Sequence, residues 1–387
     1  MRTGKLPPQL LGRLLAGIPR PDPRVLLGGG VGEDAALIDF MTPPQYGGAP
    51  QAGAADARPG GARPAGAPST GAAGLGADTG AGAGGSDRLL VAKTDPITFA
   101  TDLIGWYAVH VNANDVACAG ATPRWFMATA LLPERWEESE VAALFEQLTE
   151  ACTSLGVTLV GGHTEITGGL ERPVLSGCML GEVERARAVR TGGGQAGDNL
   201  ILTQGIAVEG TAILAREAAD TLHARGVKGE TVARARELLF HPGISVVPAA
   251  RLLCHVAPPP EGVHSLHDPT EGGLAAGVWE IAEASQLGAT IEAQAVSLLP
   301  ESGAICAALG LDPYGLLASG ALLAAVAPGA TSEALRALTE AGIPARVVGR
   351  LTPREEGLWR VEANGERRPW PSFDRDELAR YFAEAST

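Results

Sequence analysis

From residue 139 to 156 the chain reads SEVAALFEQLTEACTSLG, with Val141, Leu144, Phe145, Leu148 and Cys152 at the three- and four-residue spacing of a one-sided helix. Residues 102–123, DLIGWYAVHVNANDVACAGATP, repeat that spacing through Ile104, Ala108, Val111, Asp115 and Ala119, then stop at Gly120 and Pro123. Between and after these helices, RWFMATALLP (124–133), VTLVGG and PVLSGCMLGEV read as strands. AALIDF (35–40) and LLVAK (89–93) are strand candidates ahead of them. The alternation predicts an α/β or α+β domain over residues 1–185.

A turn-rich stretch, TGGGQAGDN (191–199), resets the pattern. Beyond it LILTQ reads as a strand, helical runs follow near 208–220 and 229–239, and DPTEGGLAAGVWEIAEASQLG (268–288) reads as a further helix. ATIEAQAV, GALLAAV and ARVVGRL are strand candidates, so a second domain is expected over 190–352. Residues 353–387 read as a C-terminal tail with a short amphipathic helix in SFDRDELARYFAEA. Residues 47–86 contain almost nothing but Gly, Ala, Pro and small polar residues, with no aromatic or large β-branched side chain to anchor a core. They read as a disordered insertion at a strand–strand turn, which loop-closure entropy tolerates at any such length.

Composition narrows the function. Lys plus Arg total 30 against 44 Asp plus Glu, a net charge of −14, which argues against nucleic-acid binding. No apolar run approaches the ~20 residues that cross a bilayer, and the N-terminus lacks a signal-peptide cleavage pattern, so neither a membrane nor an export role is expected. The five cysteines (Cys118, Cys152, Cys178, Cys254, Cys306) are scattered and odd in number, which indicates neither a zinc site nor a disulfide framework. The expected compartment is the cytoplasm.

Acids stand at the ends of predicted elements: Glu33 and Asp34 after the glycines of GGGVGEDAALIDF, Asp95 in AKTDPI, Asp115 in VNANDVA and Glu165 in GGHTEIT. Carboxylates gathered this way suit Mg²⁺, which takes a few of them plus substrate phosphates. Asn112 and Asp115, three apart, share one helix face. Turn formation and strand capping explain each acid equally well in isolation. In VGGHTEITGG, Gly161 and Gly162 allow close backbone approach and Thr164 offers a hydroxyl to a phosphate; a sharp polar turn is the alternative. In HDPTEGG, Thr270 is a candidate N-cap and Gly272 and Gly273 leave a helix N-terminus open to an anion, or simply cap and pack. None of these stretches fits the Walker pattern or a dinucleotide GxGxxG after a strand, and no Ser or Cys lies in a GxSxG pattern.

In order along the chain, GVGEDAALI, AKTDPITFA, VNANDVACAGATP, LVGGHTEITG and DPTEGGLAAGVWEIAEAS resemble the ATP-binding superfamily of aminoimidazole ribonucleotide (AIR) synthetase, also called PurM-like. That superfamily includes the hydrogenase maturation protein HypE, selenophosphate synthetase and thiamine-monophosphate kinase. The resemblance implies two α/β domains, the N-terminal ones of two subunits pairing in a β-barrel, with ATP near that homodimer interface. It implies Asp34, Asp95 and Asp115 as Mg²⁺ ligands. Asp95, Asp115 and His163 are the implied catalytic residues, and Gly30, Gly32, Asn112, Gly161, Gly162 and Thr164 the nucleotide-binding ones, with Gly30 and Gly32 in a mobile phosphate cover. Relatives phosphorylate an oxygen, often of an amide, on a small-molecule substrate or a protein.

DPTEGG is closest to HypE, where a basic residue stands at the position of Glu271. HypE carries its carbamoyl group on a terminal cysteine, whereas the last cysteine here is Cys306. Selenophosphate synthetase has a reactive Cys and Lys that are absent between Gly28 and Asp34, and thiamine-monophosphate kinase has GGD where His163 follows the glycines. The reading is an ATP- and Mg-dependent, HypE-like enzyme of unassigned acceptor. AIR synthetase or thiamine-monophosphate kinase activity and a non-catalytic nucleotide-binding maturation factor docking to a partner protein are the alternatives.

Overall fold

The computed structural model describes residues 24–27, 35–41 and 87–385. Gly30, Gly32, Glu33, Asp34 and the 47–86 insertion lie outside the described residues.

The first half comprises β1 (Val25–Leu27), β2 (Ala36–Ile38), β3 (Arg88–Ile97), α1 (Ile104–Cys118), β4 (Thr122–Pro133), α2 (Glu138–Leu155), β5 (Thr158–Thr167) and β6 (Val174–Glu184). Its strands form one sheet in the order β1-β2-β3-β6-β4-β5, antiparallel except for the parallel β4–β5 pair. Alternation along β3 and β6 sends Leu89, Val91, Leu175, Met179 and Val183 into the core. Each such fully buried side chain contributes about 1.5–3 kcal/mol. Helix α1 packs on this sheet and α2 packs on α1. A capping box between Glu137 and Glu140 starts α2, and Gly156 ends it at φ 67°.

Helix α1 is buried on nearly every side, His110, Asn112, Asn114 and Asp115 included. A helix clad all round must satisfy its polar groups internally or use them. The second half supplies the cladding. It comprises β7 (Asn199–Thr203), α3 (Val208–Glu217), α4 (Ala219–Ala224), α5 (Gly229–Glu237), α6 (Val247–Val256), β8 (Val263–His267), α7 (Gly273–Ser285), β9 (Gly288–Glu292), α8 (Pro300–Leu309), β10 (Leu323–Val326), α9 (Thr331–Glu340), β11 (Ala345–Thr352), β12 (Leu358–Val361), β13 (Arg367–Pro369) and α10 (Glu377–Ala385). Its seven-stranded sheet has the order β13-β12-β9-β11-β7-β10-β8. Helix α6 packs on α1, and one continuous apolar core runs through both halves, from Leu37 to Leu378.

Three sequence expectations change. The stretch around Gly161 and Gly162 is neither a loop nor a turn but the middle of β5, an edge strand. Gly162 (φ 145°) is needed there because a Cβ would lie 1.9 Å from the Ala128 carbonyl oxygen. Helix α7 begins at Gly273 rather than at Asp268, and its N-cap is Gly272 (φ 84°), not Thr270. Beyond residue 352, β12 and β13 join the second sheet, β12 running parallel to β9. Among the described residues, Leu239–Val256 has the length and hydropathy of a membrane span. It is interrupted at Ile244–Val246, and Leu239, Val247, Ala249, Ala250 and Leu253 are buried in the core.

Candidate active site

Residues two apart on a strand share a face, and β3 sends both Lys93 and Asp95 toward α1. The Lys93 ammonium sits 3.1 Å from Asp115 Oδ2 and 3.5 Å from Asp95 Oδ2, spanning the two carboxylates. Asp115 is buried, whereas the Asp95 side chain is 37% exposed, so the pair opens toward solvent at Asp95. One turn earlier on α1, Asn112 donates Nδ2 to the Asp95 carbonyl at 3.1 Å and to the Ala108 carbonyl at 2.8 Å. Its Oδ1 is buried without a hydrogen-bond partner. Gly177 on β6 leaves the necessary room, since a Cβ there would stand 2.5 Å from Asn112 Nδ2.

One and two turns along the same face come Asp115 and Cys118, whose Sγ lies 3.8 Å from Asp268 Oδ1. Asp268 belongs to the turn after β8, so α1 carries the site from the first half into the second. Glu209, in the first turn of α3, is 5% exposed with Oε2 unpartnered. Burial lifts its carboxyl to about 7; the Ser319 hydroxyl opposes this, and the charges of Asp376, Asp95 and Glu271 reinforce it. Asp95 and Glu209 therefore face one electrostatic neighbourhood from opposite halves.

The Gly272 N–H, at the start of α7, donates to Asp376 Oδ2 at 2.6 Å, and the Leu378 N–H donates to Asp376 Oδ1 at 2.7 Å. The anion at the DPTEGG turn is the chain's own carboxylate. Burial pushes Asp376 up to about 7 against these two donors. Just before the turn, buried His267 has its Nε2 2.8 Å from Oε2 of the partly buried Glu280.

The structure thus brings Asp95, Asn112 and Asp115 together as the sequence suggests. Gly161, Gly162, His163 and Thr164 are elsewhere in the chain: pairing registers set Asp95, Gly177, Ala128 and Gly162 in one lateral row, with Gly162 three strands from Asp95. At ~4.8 Å per strand that is about 14 Å. His163, expected to be catalytic, is two-thirds exposed on β5 with Nε2 3.3 Å from Glu165. Lys93, Glu209, Asp268 and Asp376 were missed from sequence. Lys93 carried a signal, two residues before Asp95; the others meet the site only through long-range packing.

The donors here, two carboxylates and the Asn112 amide oxygen, are hard oxygens that fit Mg²⁺. Among the described residues no three His, Cys, Asp or Glu side chains converge as a metal cage. Mg²⁺ held by two carboxylates completes its shell with phosphate oxygens and water.

Residues 76–183 match the model of the AIR synthase related protein N-terminal domain, and residues 195–360 that of its C-terminal domain. The chain belongs to the AIR synthase related family. It is 29% identical over 269 residues to the carbamoyl dehydratase HypE of Cupriavidus necator, covering 68% of this chain and 72% of that one. A solved HypE in complex with ATP superposes with a TM-score of 0.60 at 22% identity, over 75% of this chain and 87% of that one. HypE in its complex with HypF gives 0.61 at 20% identity, over 74% and 90%. The last two likenesses establish the PurM-like fold.

Proposed function

We propose that this AIR synthase related protein is an ATP-dependent phosphoryl-transfer enzyme of the HypE type, acting on an amide-type oxygen. The observation that carries the reading is the Asp95–Asp115 pair spanned by Lys93, beside the unpartnered oxygen of Asn112. A family member with this pair has what a metal–nucleotide complex requires: two hard negative ligands, one on a strand and one on the helix packed against it, and an ammonium between them that can turn toward phosphate. The kinship to a carbamoyl dehydratase supports an amide as acceptor, and the ATP complex of a HypE supports the nucleotide. Asp34 is the third metal ligand in this reading, and the halves ending near 185 and beginning near 190 act as two domains.

Phosphoryl transfer is mostly positioning and charge neutralisation. Mg²⁺, when bound, neutralises phosphate charge. Asp95 and Asp115 would hold it, Asn112 fixes the Asp95 backbone, and Glu209, its carboxyl lifted to about 7 by burial, could give or take a proton nearby. The HypE–HypF complex supports a maturation partner protein.

A homodimer completes the reading. Strand β5 is exposed along almost its whole length and leaves Val160 and Ile166 about half exposed, as an unpaired edge awaiting another sheet does. Across such an interface Gly161, Gly162, His163 and Thr164 serve the partner's nucleotide rather than their own chain's.

Calorimetric titration of ATP with and without Mg²⁺, on wild type and Asp95→Ala, tests this. Metal-dependent binding that weakens at least about tenfold in the variant is expected, followed by phosphate release on addition of a carbamoylated or amide acceptor. A wild type that binds no ATP in the presence of Mg²⁺ would refute it.

A further inference from the structure

On the helical side of the first sheet, between its far end and α6, lies a cleft of about 700 Å³. Its lining is out of character for the chain. At the overall frequency of 30 Lys plus Arg in 387 residues, sixteen lining residues would carry about one. They carry four: Arg88, Arg124, Arg187 and Arg251, with His255 beside them and only Glu182 and Glu184 in opposition. A protein of net charge −14 therefore has a net positive cleft.

Two of the four guanidiniums are accounted for. Arg88 pairs with Glu182. Arg187 donates to the Cys254 carbonyl at 2.9 Å, answering the negative end of α6. Arg124, in the first turn-out of β4, and Arg251, in the middle of α6, are exposed and pair with no carboxylate among the described residues. They reach the cleft from opposite halves of the molecule, and Thr122 is also in its lining.

The cleft is separate from the candidate nucleotide site. Arg88 lies at one end of β3 and Asp95 seven residues along it, about 23 Å away at ~3.3 Å per residue. Several guanidinium forks lining one cleft, with a threonine among them, suit phosphate, which accepts paired hydrogen bonds from planar donors. The volume is that of a metabolite-sized pocket.

We propose that this cleft binds a small phosphate-bearing anion, clamped by Arg124 and Arg251 and oriented by Arg187. The site is independent of the assignment of the nucleotide site, and its test separates the two. In metal-free buffer the carboxylates at Asp95 and Asp115 repel a polyanion, so pyrophosphate titrated there, without nucleotide, reports on the arginine cleft alone. Wild type and Asp95→Ala are expected to bind about one pyrophosphate per chain with equal affinity. Arg124→Glu/Arg251→Glu, and the milder Arg124→Gln/Arg251→Gln as a check against misfolding, are expected to lose at least tenfold in affinity. Mg²⁺-dependent ATP binding followed in the same proteins should be unchanged by the arginine substitutions. No binding by wild type, or equal binding by both double variants, overturns the proposal. So does a polyglutamate peptide that binds through Arg124 and Arg251 and is not displaced by pyrophosphate, since the cleft would then be a peptide-docking groove.

Discussion

Asn114 is the most severe test of how the two halves hold the site together. It is fully buried on α1, next to Asp115, and faces the second half rather than the nucleotide site. Its Nδ2 donates to the Ile244 carbonyl at 2.8 Å, and its Oδ1 accepts from the Val246 N–H at 2.9 Å. Ile244 and Val246 are themselves 1% exposed, so water has no route to replace the amide. Asn114→Ala leaves one buried carbonyl and one buried N–H unpaired, each costing about 1–3 kcal/mol, for a total of roughly 4 kcal/mol. That is a large share of the ~5–15 kcal/mol that separates a folded domain from its unfolded chain. Asn114→Asp keeps the shape and one acceptor but turns an oxygen toward the Ile244 carbonyl and buries a charge, so it should cost at least as much. In urea unfolding followed by tryptophan fluorescence, a slope of ~3 kcal/mol/M converts the loss into a midpoint shift of about 1.3 M. Both variants should also weaken ATP binding, because Asp115 is carried on the same turn. Midpoints within about 0.3 M of wild type for both would refute the claim that this amide clamps the halves.

His110, buried and stacked on Trp106 (ring centroids 4.3 Å apart), is pushed down to about 4 by burial, which its hydrogen bond to the Trp106 carbonyl only partly offsets. The unfolded chain then binds the extra proton between pH ~6.5 and ~4, so stability should fall by roughly 3 kcal/mol as pH drops through that window, and His110→Gln should flatten the loss in pH-dependent unfolding. Val160→Asp/Ile166→Asp on β5 should convert a dimer to a monomer in light scattering, with the fold intact by circular dichroism; an unchanged dimer excludes this edge as the interface. Asp376→Ala removes the acceptor for the Gly272 and Leu378 N–H groups and should cost about 2 kcal/mol, with faster hydrogen exchange confined to 370–385 and the start of α7. Exchange unchanged in both segments would show that the carboxylate does not hold them.

Much of the fold was legible because local periodicity and burial coincide. Helix α2 shows its three- and four-residue stripe because only one face packs, and its observed bounds differ by a residue from those expected. Strands β3, β4 and β6 announce themselves as short apolar-rich runs bounded by turn and helix signals. The family was legible from five motifs in order, four of which fall within the domain matches. In VGGHTEITGG, by contrast, glycines read locally as a turn. Gly162 is glycine because the Ala128 carbonyl of the neighbouring strand comes too close for any side chain, and nothing within the motif records that strand.

The sequence by itself determined the secondary elements with one buried face, the acids at their ends and the family, because these depend on neighbours within a few residues. It also put Asn112 and Asp115 on one face of α1, which requires only helical geometry. Only the tertiary structure decided which partners those residues meet. Lys93 spans Asp95 and Asp115 because β3 and α1 pack in one register. Asn114 clamps the second half while its neighbour Asp115 serves the site. Glu209, 114 residues from Asp95 in sequence, feels the charges of both Asp95 and Asp376 from the other half of the chain. The reason is physical: a carboxyl's ionisation and a buried amide's hydrogen bonds are set by whatever folding places within a few ångströms, and folding brings those groups from anywhere in the chain.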